Sequence, residues 1–80
     1  MTLEILTPSG TTAHAEDVSA VFLPGLLGEF EVLRHHAPII SALGRGAIRW
    51  RGAGGGEESV AVESGFVIVE NDHIQACVEQ

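Results

Sequence analysis

Glycine and proline punctuate this 80-residue chain at short, nearly regular intervals, and the stretches between them either alternate apolar with polar residues or run apolar. Stretches that short cannot form the long amphipathic helices of a bundle, whereas a strand buries one face within five or six residues or so. The spacing therefore predicts an all-β domain, a sandwich or a barrel. Leu3 and Ile5 alternate with Thr2 and Glu4 up to the turn cluster Pro8-Ser9-Gly10, and Thr11 to Ala15 is placed to pair back on them. From about Asp17 to Leu23, Val18, Ala20 and Phe22 share one face; Val21 and Leu23 make the other apolar too, which predicts a strand covered on both sides.

Pro24-Gly25-Leu26-Leu27-Gly28 reads as a loop, and beyond it Phe30 and Val32 face inward with Glu29 and Glu31 in solvent. Ile48 and Trp50 lie on one side of the Gly46–Arg51 stretch, with Arg49 and Arg51 on the other. Gly52-Ala53-Gly54-Gly55-Gly56 is a hairpin tip leading to Glu58–Glu63, where Val60 and Val62 share a face. Phe66–Glu70 and His73–Val78 flank Asn71-Asp72, a two-residue turn of residues that tolerate positive φ. That register sets Val69 against Ile74 and Val67 against Ala76. Only Ala37–Leu43 has the composition for a helical turn, and Pro38 with Ile39-Ile40 fits an extended piece as well.

Composition narrows the function. Apolar residues make up 45% of the chain, enough for one modest core, and no second lobe or large cleft fits in the remainder. Four arginines and no lysine face eleven acids, for a net charge of −7. Nucleic acid and anionic lipid both need a basic footprint, so neither is expected as a partner. Without lysine there is no Walker phosphate loop, Schiff base, or lipoyl or biotinyl attachment. The single cysteine, Cys77, has no internal partner and reads as a small buried hydrophobe. No signal peptide or membrane span is visible, so a soluble protein without direct membrane insertion is expected.

The residues that carry chemistry elsewhere do not form a constellation here. Adjacent His35 and His36 point to opposite faces of an extended chain, and neither they nor His14 and His73 follow metal-ligand spacing. Ser64, His36 and Asp72 are the right types for nucleophilic catalysis, but Ser64 lies outside any nucleophile elbow. The glycine tip leads to a strand and not to a helix N-terminus, so it is not a phosphate cradle. No catalytic, cofactor or metal residue is assigned. The oddity is Leu26-Leu27, two large apolar residues in a turn, which either tuck under the domain or meet another protein.

The run Leu23-Pro24-Gly25-Leu26-Leu27-Gly28-Glu29-Phe30-Glu31-Val32-Leu33, then His36-Ala37-Pro38-Ile39-Ile40-Ser41-Ala42-Leu43, resembles the epsilon subunit family of F-type ATP synthase. Gly46-Ala47-Ile48-Arg49, Gly65-Phe66-Val67-Ile68-Val69-Glu70-Asn71 and the opening Leu3-Glu4-Ile5-Leu6-Thr7-Pro8 fit the same family in order. The resemblance implies a single β-sandwich of about ten short strands over residues 1–80 and a non-catalytic, cofactor-free place in the central stalk. Its implied partners are the gamma subunit and the loops of the membrane c-ring. The implied location is peripheral, on the cytoplasmic face of the bacterial inner membrane.

Carried over by position, Pro24, Gly25, Leu26, Leu27, Gly28, Glu29 and Glu31 form the loop that faces the c-ring, with the two glutamates as polar contacts. His36, Ala37 and Pro38 carry the family's His-Ala-Pro motif, near the same end. Which flank lies on gamma is not readable from the residues. Arg34-His35 stands where the family has Pro-Gly, and Leu26-Leu27 replaces a more polar pair. The family's C-terminal helical hairpin has no counterpart before Gln80, so its inhibitory latch is not expected within these residues. Two other classes fit the composition: a stand-alone β-sandwich binding module and a small cupin-like metalloprotein.

Overall fold

The computed structural model describes all 80 residues, and every alternating stretch in it is a strand. There are nine, and no helix: β1 (Thr2–Thr7), β2 (Gly10–Ala15), β3 (Val18–Gly25), β4 (Gly28–Leu33), β5 (Ile39–Leu43), β6 (Gly46–Gly52), β7 (Glu57–Val62), β8 (Ser64–Glu70) and β9 (His73–Glu79). Ala37–Leu43 resolves in favour of the extended reading, because Ile39 to Leu43 pairs residue for residue with β8.

One hydrogen-bonded path runs β2-β1-β9-β8-β5-β3-β6-β7, with β4 on the other side of β3. It folds into two layers where β5 meets β3 through a single pair, Gly25 with Leu43. The first layer is β2-β1-β9-β8-β5 and the second β4-β3-β6-β7. All neighbours are antiparallel except β1 and β9, which run parallel with Leu3 beside Ile74 and Ile5 beside Ala76. Between the layers lies one apolar core. Leu3, Ile5, Leu43, Val67, Val69, Ile74, Ala76 and Val78 come from the first layer; Val18, Val21, Leu23, Val32, Ile48, Trp50 and Val62 come from the second.

The turns follow their residues. Asn71 and Asp72 adopt φ 51° and 58°, the left-handed pair that a tight hairpin requires, and the β8–β9 register sets Val69 against Ile74 and Val67 against Ala76. Two expectations are corrected. Phe22 does not share a face with Val18: Val18 pairs with Gly52 and Ala20 with Arg51, so Ser19 is an extra residue that reverses the alternation. Val18, Val21 and Leu23 consequently enter the core, and Phe22 stands on the outer face. Ala20 is buried outside that core, between Leu33 and Arg51 across the ladder. Pro24–Gly28 is not an open loop either. Pro24 pairs with Glu29 and Gly25 with Gly28, leaving only Leu26-Leu27 as the turn.

Candidate functional site

No polar or charged residue is buried, so the chemistry of this chain is displayed on its outer surfaces. Three regions stand out: the β3–β4 tip, the outer face of the first layer, and the outer face of the second.

At the tip, Leu26 is 68% exposed and Leu27 fully so. The positive φ of this turn falls on Gly28, at +131°, which leaves both leucines in ordinary conformations. The Leu26 N–H donates to the Ala42 carbonyl at 3.4 Å, and the Gly44 N–H to the Pro24 carbonyl at 2.8 Å. These bonds fasten the tip to the end of β5. Pro24, Gly25, Leu26, Leu27, Gly28 and Glu29 therefore form one hairpin end. Glu31 is two residues farther along β4, opposite Phe22.

His36, Ala37 and Pro38 are not near that end. They follow β4 at its far terminus, one strand length from the leucines, beside the β8–β9 turn. There the His35 N–H donates to Asp72 Oδ1 at 2.6 Å with its ring 3.5 Å from Oδ2, and His36 Nδ1 lies 2.7 Å from the Ala37 carbonyl. His35 takes φ 61° to do so, a left-handed conformation uncommon for a residue other than glycine. No three His, Cys, Asp or Glu side chains come together as a metal-ligand set.

The outer face of the first layer was not legible in the sequence. Leu6 pairs with Cys77, Cys77 with Phe66 and Phe66 with Ala42, so these four residues form a row across β1, β9, β8 and β5. Ile68 and Ile40 pair beside them, and Ile40 and Phe66 are 77% and 45% exposed. Cys77, expected inside, is half-buried in this row because it alternates with the core residues Ala76 and Val78. A hollow of about 410 Å³ opens between Pro8, Phe66 and Cys77. The charged residues on this face are Glu4, Glu70 and Glu79, with His14 3.7 Å from Glu4; no arginine shares it. A contiguous apolar patch with an acidic rim is the form of a protein-docking surface.

The outer face of the second layer is built differently. The Arg49 guanidinium lies 4.5 Å over the Phe22 ring, reaches Glu29 at 3.0 Å and Glu57 at 3.6 Å, and Arg51 lies 5.6 Å from the same ring. Arg49 is thereby paired within the chain. Because Arg49 is about one-third exposed, its network is a modest contributor. Arg49→Ala is expected to cost about 1 kcal/mol, with part of the difference vanishing in high salt. Paired thermal melts at low and high ionic strength measure both effects.

Fold and surfaces define a small β-sandwich with an exposed apolar outer face and an exposed apolar hairpin tip. The whole of residues 1–80 matches the family described as the ATP synthase, delta/epsilon chain, beta-sandwich domain, and the chain belongs to that family. It is 43% identical over 79 residues to the ATP synthase epsilon chain of Sulfurovum sp. (strain NBC37-1), covering 99% of this chain and 61% of that one. To the epsilon chain of Wolinella succinogenes it is 46% identical over 68 residues, 85% of this chain and 51% of the relative. The chain thus spans between half and two-thirds of the length of these relatives.

Among solved structures, a chain of the Euglena gracilis mitochondrial ATP synthase (OSCP/F1/c-ring, rotational state 1) superposes with TM-score 0.89 at 20% identity, over 98% of this chain and 49% of that chain. A chain of the Tetrahymena thermophila mitochondrial ATP synthase central stalk/c-ring gives TM-score 0.82 at 15% identity, over all of this chain and 63% of that one. At such identities the likeness establishes the fold.

Proposed function

We propose that this chain is a non-catalytic central-stalk component of an F-type ATP synthase, joining the gamma subunit to the c-ring at the cytoplasmic face of the bacterial inner membrane. The observation that carries this reading, beside family membership, is the apolar row Leu6–Cys77–Phe66–Ala42 with Ile68 and Ile40, exposed and rimmed by acids. That face is assigned to gamma. Its partner surface is apolar at the centre and basic at the edge, since charge complementarity speeds assembly and fixes register while desolvation of the apolar centre supplies affinity. The β3–β4 tip, around the edge of β5 from that face, is assigned to the c-ring loops.

The mechanism is mechanical. Ion flux turns the ring, and torque reaches gamma partly through a body whose two layers are fully laddered and share one core. Such a coupler needs a rigid body and two docking surfaces, and the two assigned here adjoin at Ala42 of β5.

Co-expression with the gamma subunit tests the reading. A tagged chain is expected to recover gamma stoichiometrically. Phe66→Asp, at an exposed position on this face, is expected to reduce recovery at least tenfold or so, because an interfacial charge is buried without a partner. Recovery of no gamma by the unaltered chain, or equal recovery by a folded Phe66→Asp variant, overturns the assignment.

A further inference from the structure

The tip combines full apolar exposure with an internally neutralised charge. Glu29, the acid nearest the leucines, accepts at Oε1 from the Arg49 guanidinium at 3.0 Å. Glu31 is farther up β4 and across from Phe22. No arginine lies in the turn, and Leu27 projects freely while Leu26 rests over Gly44, where an added Cβ would come 3.2 Å from Leu26 Cδ2. Beside the leucines, Gly25, Phe30, Ser41 and Ala42 line a hollow of about 330 Å³.

We infer that Leu26-Leu27 is an apolar anchor whose occupant is a protein cleft between neighbouring polar loops of the c-ring, so that this foot holds by desolvating leucine and not by ion pairs. The inference rests on the c-ring contact proposed above and specifies its chemistry. The knob enters the cleft, and the hollow beside it receives an apolar side chain of the loop. Because backbone bonds to Ala42 and Gly44 already hold the turn, little conformational freedom is lost on binding. A bilayer is the wrong occupant for a tip whose flanking arginines, Arg45 and Arg49, already pair with Glu63 and Glu29, on a chain of net charge −7. A second copy would bring two such charges together.

The test is binding of the tagged full chain to detergent-solubilised c-ring, across about 0.05 to about 0.5 M NaCl, where screening removes most of an exposed ionic contribution. Affinity of the unaltered chain and of Glu29→Gln is expected to change less than about threefold. Leu27→Asp is expected to bind at least tenfold or so more weakly at every salt concentration, the scale of burying one leucine. Its unchanged melting curve would show that the loss is local. A Leu27→Asp variant that binds like the unaltered chain, or binding that collapses with salt, overturns the anchor and leaves the c-ring contact standing. No binding by the unaltered chain overturns the c-ring contact itself. Equal, Leu27-dependent binding to phosphatidylcholine/phosphatidylglycerol vesicles would replace the protein cleft by lipid.

Discussion

Gly65→Ala is expected to destabilise the chain by about 3 kcal/mol and to lower its melting temperature by on the order of 15 °C. Gly65 sits at φ +154° in β8, a strand paired on both sides, opposite Leu43 of β5 and Val78 of β9. A Cβ there would run into the Cys77 carbonyl oxygen and stand 2.9 Å from Val78 Cα. Both obstacles are backbone atoms of a central strand, so neither can swing aside as a side chain would. Relief requires β9 to move, and β9 is also held by β1. Gly54→Ala is the control: a Cβ at that position meets nothing, and its melt is expected to be unchanged. Equal melting temperatures for the two variants would contradict the close approach of β8 and β9.

Trp50→Ala is expected to cost about 4 kcal/mol, a large part of what holds so small a domain together. Trp50 is the largest side chain in the core, points inward from β6, and is flanked on the ladder by Val21 and Glu58. Its removal leaves a cavity that the two layers cannot close, because each is fixed by its own backbone ladders. Trp50→Phe keeps most of the contact and is expected to lose less than half as much. Urea unfolding followed by circular dichroism measures both, and it is needed because the alanine variant lacks the chain's one tryptophan. A loss below about 1 kcal/mol for Trp50→Ala would mean that β6 does not face the core as described.

What could be read before folding was what alternation and turn chemistry determine locally. Ile48 and Trp50, Val67 and Val69, Ile74 and Ala76 announce their inward faces by spacing alone, and Asn71-Asp72 announces its turn by tolerance of positive φ. Phe22 departs from the face its spacing predicts because the extra residue at the bulge is Ser19, not a glycine or proline that would mark one. The Pro24–Gly28 segment departs from the loop its composition predicts because its two glycines pair with each other across the hairpin. The exposed apolar face of the first layer was invisible for a different reason. Leu6, Cys77, Phe66 and Ala42 are far apart in the chain, and only the strand order β1-β9-β8-β5 makes them neighbours. Local patterns give each strand its two faces, but not which strands stand side by side.

The parallel pairing of β1 with β9 also governs when this body can come into existence during synthesis. Leu3 and Ile5 have no ladder partner on their β9 side until Ile74 and Ala76 have emerged from the ribosome, so β1 waits for β9. Pairing across nearly the full chain length is slow to close, and an unpaired β1 edge is meanwhile open to other chains. The hairpins β3–β4 and β6–β7 need only local contacts and can form early. The first layer therefore closes only when β9 joins β1 to β8, and a nascent chain halted before β9 carries an unfinished sheet.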